Sequence, residues 1–464
     1  MLTLADILDY GNRRAAPGPR GHPLLGSLPA ARRDPIRLFT QSFREHGDVV
    51  RFRFGPMVAH LVSSPAGVNH ILAENNKNYG KQTRGYAALR YVLGNGLLTS
   101  EGDFWKRQRR IAQPAFHRQR IAGFASAMVR AAEECSEKLA QSRGQTVDVH
   151  HEMMRLTLRI VGETLLGYDP SRDADEVGDT LAHLLAIVNE RTTRVIFFAR
   201  PRLPTPENLR LRRAVARLDE IVLRIIAERR KSRGDDLLSM LMEARDADTG
   251  EAMDDRQLRD EAMTIFLAGH ETTANALAWT WLLLSRYPAA GRELRAELSD
   301  VLGGRSPTAD DLPRLRFTKM LLEESMRLYP PAWIIARSAS GADEIGGFEI
   351  PAGSIVFVSP YIVHRHPRMW DDPEGFDPHR FEKEPPRGAY FPFGGGPRAC
   401  IGNGFAMMEA QLVLATIAQR VKFELVSGHP VELEPSITLR PKFGLLMQIV
   451  QIGDTLAGHL KPRG

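Results

Sequence analysis

Apolar residues recur at three- and four-residue spacing through most of residues 95–330, the pattern of helices that bury one face in a shared core. Glycine- and aspartate-rich breaks near 167–180, 233–236 and 244–256 read as loops between those helices. The period changes to two on either side. DVVRFRF (48–54), Gly55-Pro56 and MVAHLV (57–62) predict a β-hairpin, and IGGFEIPAGSIVFVSP (345–360) predicts a second β region with turns at Gly346-Gly347 and Pro351-Ala352-Gly353. A last helix is expected over 404–421, followed by a final β region near 435–450, and the first 35 residues form a proline- and glycine-rich arm. The prediction is a mainly α protein with a smaller β region (α+β). Both ends contribute strands, so residues 1–464 are expected to form a single interlocked unit with a long central helix.

One predicted helix, about Asp260 to Arg286, carries residues that oppose it. TIFL and ALAWTWLLL mark it as buried, yet AGHETT (268–273) lies between them. Glycine, an acid and two threonines are poor helix formers at mid-helix, and a buried glutamate costs free energy unless it is paired or used. Thr272 is expected to bond back to the carbonyl of Ala268 and loosen the helix. The small residues 268 and 269 leave room for a ligand or a water. A packing groove with a satisfied glutamate is the competing reading.

Composition narrows the classes. The net charge of +6 is mild for 464 residues, and basic clusters such as Lys106 to Arg110 (KRQRR) lie near acids or apolar residues. They read as solvated helix faces, with an acidic protein partner as the alternative; no long basic stripe with interleaved aromatics points to nucleic acid. The start, MLTLADILDYGNRRAAPGPRG, has no signal-peptide core, and the longest apolar run, Thr272 to Ser285, is shorter than the roughly 20 residues of a membrane span. Two cysteines exclude a disulfide framework and point to a reducing, cytoplasmic setting. Cys135, in AAEECSEKL, reads as a packing residue.

Cys400 lies in FPFGGGPRACIG (391–402), the most glycine-rich loop of the chain. Structural zinc would need about four ligands at short spacing, a phosphate loop would need a Lys-Ser/Thr pair, and a thiol nucleophile would need a histidine base, which is absent within twenty residues along the chain. A buried cysteine in a tight turn stays open. So does a single axial thiolate to haem iron, which needs one cysteine, backbone that can crowd a flat macrocycle, amide donors near the sulfur and a nearby cation.

Phe393, Gly396, Arg398, Cys400 and Gly402 fill every defined position of F-x-x-G-x-R-x-C-x-G, so the stretch resembles the cysteine-ligand signature of the cytochrome P450 family, in a soluble bacterial-type member. The resemblance implies haem b (iron protoporphyrin IX) with Cys400 as its metal ligand, and a loop, Gly394 included, whose glycines clear the macrocycle. It implies an acid–alcohol pair, Glu271 and Thr272, that delivers protons during oxygen activation, with Ala268 against the cofactor. Trp105 and Arg109, in FWKRQRR, together with Arg337 and Arg398, would hold the propionates. Glu324 and Arg327 resemble the family's E-x-x-R element, with Arg380 of F-D-P-H-R-F as its third member; His379 stands where the family often has glutamate. Leu97, Leu98, Ile265, Ala268, Trp333, Ile334, Ile335 and Leu439 would line the substrate pocket. The motifs follow the family's order and the resemblance covers essentially the whole chain.

The function so implied is a haem-thiolate monooxygenase that places one oxygen atom from O2 on a hydrophobic substrate, a fatty acid or a terpenoid. A separate ferredoxin or flavodoxin with an NAD(P)H reductase would supply electrons, docking on Lys106, Arg107 and Arg110. Neither nucleic acid nor a membrane anchor enters. A peroxygenase or isomerase of the same haem-thiolate kind, or a haem-binding sensor, are the alternatives.

Overall fold

The computed structural model describes residues 15–168 and 205–450, with positions 178, 180, 184 and 187 between them. Most of the expected break at 167–180 lies outside the described residues.

Helices dominate, as the apolar spacing predicts. The central helix runs from Asp255 to Arg286, five residues earlier than the apolar pattern suggests. Its start is set by a capping box: the Asp254 side chain accepts from the Gln257 N–H, and the Gln257 side chain reaches back to the Asp254 N–H. Leu258, Met263, Phe266, Leu277, Trp279 and Leu282 are buried around its circumference, so it is a core element rather than a surface one. No helix among the described residues is long and apolar enough to cross a membrane.

The hairpin forms as predicted, Val49–Phe54 against Met57–Val62, with Val49 opposite Val62 and Phe54 opposite Met57. The 345–360 region divides: Asp343–Ile345 and Phe348–Ile350 make a small hairpin, while Ile355–Val358 runs parallel to Met57–Val62. Ile335–Ala339 and Tyr79–Gly80 complete that five-stranded sheet. Strands almost 300 residues apart in sequence thus share one ladder. A second sheet joins Thr146–Asp148 to Leu446–Val450 and Lys422–Leu425.

A buried clamp lies between helices and sheet. Glu324 and Arg327, on the helix Arg316–Leu328, are both fully buried. Arg327 donates to both carboxylate oxygens of Glu324, at 2.6 and 2.8 Å, and to the carbonyls of His364, Pro373 and Gly375. Glu324 also accepts the Asp377 N–H at 2.8 Å and Arg380 Nε at 3.1 Å. Every oxygen and every guanidinium nitrogen here has a partner, the condition under which a buried pair holds its surroundings in place. His379 is outside this set and meets Glu293 and Glu382 at the surface.

Removing one partner leaves a buried uncompensated charge. Arg327→Ala should therefore cost about 3–5 kcal/mol, and Arg380→Ala, which deletes a single bond to the carboxylate, about 1.5–3 kcal/mol. Guanidinium denaturation midpoints rank the two; a greater loss for Arg380→Ala would contradict this assignment of the clamp.

Candidate active site

A cavity of about 810 Å³ lies between the central helix, the 392–402 loop and the sheet, within the range of small-molecule sites. The clamp positions its floor through a short relay. Arg327 Nη1 holds the carbonyl of His364, His364 Nε2 accepts the N–H of Phe391, and the Phe393 carbonyl accepts the N–H of Cys400 at 2.9 Å. Burial and the Arg327 charge push the His364 imidazole down to about 3, so it stays neutral and keeps that acceptor.

Cys400 opens into this cavity. Burial raises its thiol, while the Gly402 N–H and the charge of Arg109 pull it down. The helix Asn403–Ala418 begins three residues later. The glycines before the cysteine divide into two roles. Gly394, at φ 72°, lines the cavity. Gly396, at φ 63°, faces away from it, and a Cβ there would strike the backbone of Leu72 and Ala73. Clearance for a cofactor was expected of the whole loop, but at Gly396 the demand comes from the protein itself.

Trp105 and Arg109 share the face of the helix Gly102–Ala112 that looks into the cavity. The Arg398 guanidinium stacks over the Trp105 ring at 3.7 Å and donates to the Ser100 carbonyl at 2.9 Å. Arg109 donates to the Ala399 carbonyl at 3.0 Å, and Arg337 to Tyr86 Oη at 3.2 Å. Sequence reasoning missed Lys81. Lys81 is 5% exposed, its Nζ donates to the Leu98 carbonyl at 2.5 Å, and it lies over the Tyr86 ring. Nothing in KQTRGY distinguishes a loop lysine from a solvated one.

These cations press on one another. Burial first, then Arg337 and Arg398, hold the Lys81 ammonium well below its usual range; burial, then Arg337, lowers Arg398 to about 10. Among the described residues none of Lys81, Arg109, Arg337 and Arg398 has an ion pair with a carboxylate. Two buried cations, Lys81 and Arg337, and two half-buried ones, Arg109 and Arg398, gathered near a single thiol fit a ligand that brings two carboxylates and a flat apolar body, as haem does.

On the opposite wall, Ile265, Ala268, Gly269 and Thr272 open the buried central helix to the cavity. Thr272 Oγ1 donates to the Ala268 carbonyl at 2.7 Å. Glu271 is 3% exposed, and its Oε1 accepts from Thr438 Oγ1 at 2.7 Å. Thr438 accepts from Asn275 Nδ2 at 3.1 Å, and Asn275 Oδ1 faces His150 Nε2 at 2.9 Å. Burial raises the Glu271 carboxyl, countered by Thr438 and the charge of Arg440.

Leu97, Leu98, Ile334, Ile335 and Trp333 line the cavity; Trp333 is nevertheless mostly in the core, its indole N–H donated to the Ser436 carbonyl at 2.9 Å. Leu439 does not line it. It is fully buried with Phe39, Phe52 and Trp333, on the strand Leu439–Pro441, while the preceding residues Pro435 to Thr438 line the cavity instead. The basic cluster at 106–110 is also not free: Arg110 makes a forked bond to Asp246 and meets Asp248 at 2.7 Å, Arg107 meets Glu251 at 2.9 Å, and Lys106 meets Asp103 at 2.7 Å.

Lys81→Met removes a charge-assisted bond of the kind that contributes about 1.5–3 kcal/mol. It should speed haem loss to an apomyoglobin acceptor by about ten- to a hundredfold while raising the melting temperature of the haem-free protein, where the buried charge is uncompensated. A fall in both would mean that Lys81 serves packing alone.

Comparison with known proteins agrees with this geometry. A family model described as Cytochrome P450 matches residues 16–448. Cyclooctatin synthase of Streptomyces melanosporofaciens is 40% identical over 432 residues, 91% of this chain and 92% of that protein. Cyclooctat-9-en-7-ol 5-monooxygenase of the same organism is 39% identical, covering 88% of this chain and 90% of its own length. Pentalenene oxygenase of Streptomyces avermitilis is 34% identical, covering 92% and 93%. The chain belongs to the cytochrome P450 family of monooxygenases, whose cofactor is a haem held by a cysteine thiolate.

Proposed function

We propose that this monooxygenase places an oxygen atom from O2 on a hydrophobic substrate of terpenoid size. The observation that carries the reading is one cavity joining an apolar upper wall, a buried acid–alcohol pair, four cations and Cys400. The related enzymes named for cyclooctatin, cyclooctat-9-en-7-ol and pentalenene favour terpenoids over fatty acids. The two cysteines, both free thiols, suit a cytoplasmic setting.

Haem, when bound, supplies the activation of dioxygen. Cys400 would ligate it, with Phe393, Gly394 and Gly402 lining the same pocket and Trp105, Arg109, Arg337 and Arg398, now with Lys81, holding its propionates. The Gly402 N–H and Arg109 stabilise the thiolate against burial. Leu97, Leu98, Ile265, Ile334 and Ile335 exclude water and present the substrate. Thr272 spends its own proton on the Ala268 carbonyl, which leaves its oxygen as an acceptor facing the cavity. Glu271 is the proton donor: burial raises its carboxyl, and the chain from His150 through Asn275 and Thr438 fixes one of its oxygens. Every donor in that chain points toward Glu271, so it orients the carboxyl rather than carrying protons away.

Electrons would come from a separate ferredoxin or flavodoxin. With Arg107 and Arg110 neutralised by the 246–251 loop, the docking face shifts to Arg118 and Arg120, which are exposed and have no acidic partner among the described residues. They precede Ile121, which packs 3.5 Å from the site of a Cβ on Gly404, four residues beyond the cysteine.

Two measurements check these assignments. With reductase and substrate, Glu271→Ala and Thr272→Ala should lower product per NADPH by about 10- to 100-fold, in protein whose reduced carbon monoxide complex keeps the far-shifted Soret band of a thiolate ligand. Unchanged coupling in the double variant would favour a peroxygenase or isomerase, and a band at the histidine-ligated position would sink the haem-thiolate assignment. Charge reversal of Arg118 and Arg120 to Glu should slow reduction by an acidic ferredoxin, with the defect shrinking as salt rises; a greater salt-sensitive loss in Arg110→Glu would return docking to the earlier cluster.

A further inference from the structure

The cavity carries a second carboxylate that the proposed reaction does not use. Glu261, ten residues before Glu271 on the central helix, is 2% exposed and lines the cavity beside Leu97, Leu98 and Ile265. Its Oε2 accepts the Leu97 N–H at 2.9 Å, and its Oε1 has no hydrogen-bond partner among the described residues. Its neighbours Asp260 and Thr264 are committed elsewhere. Asp260 takes the Asn95 N–H at 2.7 Å and Arg259 at 3.0 Å, and Thr264 gives its hydroxyl to the Asp260 carbonyl at 2.8 Å. The tether between the central helix and the 94–97 loop is thus complete with Glu261 Oε1 still free.

Glu261, Ile265, Ala268 and Thr272 follow one face of the helix at spacings of four, three and four residues. Seven residues separate Glu261 from Ala268, about 10 Å along the axis at roughly 1.5 Å per residue. Hence the free oxygen stands about one polycyclic skeleton away from the stretch that faces the proposed reaction centre. We propose that Glu261 anchors a hydroxyl group already present on the substrate, so that this enzyme oxidises an apolar terpenoid alcohol at a carbon remote from its hydroxyl. This rests on the hydrophobic-substrate reading above and names its polar end.

The choice of a hydroxyl follows from the charges in view. A fatty-acid carboxylate would meet the Glu261–Asp260 pair with like charge. An ammonium would enter a cavity that already holds Lys81, Arg109, Arg337 and Arg398. A pure hydrocarbon would strip water from Oε1 and return nothing. A neutral hydroxyl donates one bond and brings no charge. Burial, aided by Asp260 and opposed by the Leu97 N–H, raises the Glu261 carboxyl to about 7, so near neutral pH it both accepts from and donates to such a group.

The test is spectral titration of the haem-loaded protein with three hydrocarbon–alcohol pairs of rising size, limonene and perillyl alcohol, farnesene and farnesol, abietadiene and abietadienol, and with palmitic acid. For the pair that fits, the alcohol should bind about tenfold tighter than its hydrocarbon and tighter than palmitic acid. Glu261→Leu should bring the alcohol–hydrocarbon ratio to about one by weakening the alcohol alone. Glu261→Gln, whose amide oxygen can keep the Leu97 N–H while its NH2 donates to the hydroxyl oxygen, should keep most of the ratio and serves as the folding control. Equal binding of alcohol and hydrocarbon to the native protein, or an unchanged ratio in Glu261→Leu, overturns the anchor while leaving the hydrophobic pocket standing. Binding of palmitic acid alone overturns the anchor and the terpenoid reading together. If no probe shifts the spectrum, the hydrophobic-substrate reading falls and the anchor with it.

Discussion

The fully buried contact between Arg327 and Glu324 constrains the rest of the molecule. Two charges removed from water are unfavourable until each donor and acceptor is met, and here the groups that meet them are the carbonyls of His364, Pro373 and Gly375 and the N–H of Asp377. The chain from 364 to 377 is therefore fixed by the need to satisfy a guanidinium. That need propagates: His364, kept neutral by the same guanidinium, accepts from Phe391, and the turn that follows presents Cys400 to the cavity. A motif that looks like a common helix-surface pair in the sequence is the point from which the cysteine loop hangs.

A second constraint is electrostatic. The cavity gathers Lys81, Arg109, Arg337 and Arg398 on one wall and a thiol whose ionisation burial opposes. In the protein alone this arrangement is unfavourable, since like charges lower one another's affinity for protons; the charge of Glu101 opposes this at Lys81 and Arg398, but no carboxylate among the described residues forms an ion pair with the four. A ligand with two carboxylates would relieve both strains, its anions met by the cations and its metal by the Cys400 thiolate that Arg109 and the Gly402 N–H favour. Binding and folding are then linked, because the cofactor's carboxylates would pair with cations that have no ion-pair partner among the described residues.

Features that depend on neighbours in sequence were legible in the sequence. The 48–62 hairpin, the bond from Thr272 to Ala268 and the i, i+3 spacing of Glu324 and Arg327 are local, and each is present. Features set by distant contacts were not. Lys81 is buried against the Tyr86 ring and the Leu98 carbonyl, a contact that no helix or strand period encodes. Gly396 answers to Leu72, more than three hundred residues earlier. Arg107 and Arg110 looked like a free basic face until the fold brought Asp246, Asp248 and Glu251 across them. Leu439 was expected on the cavity from the family resemblance, yet it packs into the core with Phe39, Phe52 and Trp333. Even the start of the central helix depended on a cap, Asp254 with Gln257, that the apolar period does not encode.

The two glutamates of the central helix show how setting, rather than residue type, divides labour in one cavity. Glu261 and Glu271 are both buried, and burial raises both carboxyls. What differs is the company each keeps. Glu271 receives the end of a directed chain from His150 through Asn275 and Thr438, with Arg440 near enough to favour its charge, so its proton can leave and return at a fixed place. Glu261 has one oxygen tied to a loop amide, the other free, and no cation among the charges that act on it. An acid so placed exchanges little with solvent but responds strongly to a single donor entering the cavity. The same helix face thus holds, about two turns apart, a group suited to fixing a hydroxyl and the Ala268–Thr272 stretch suited to handling protons, and that spacing is a ruler for the molecule that fits between them.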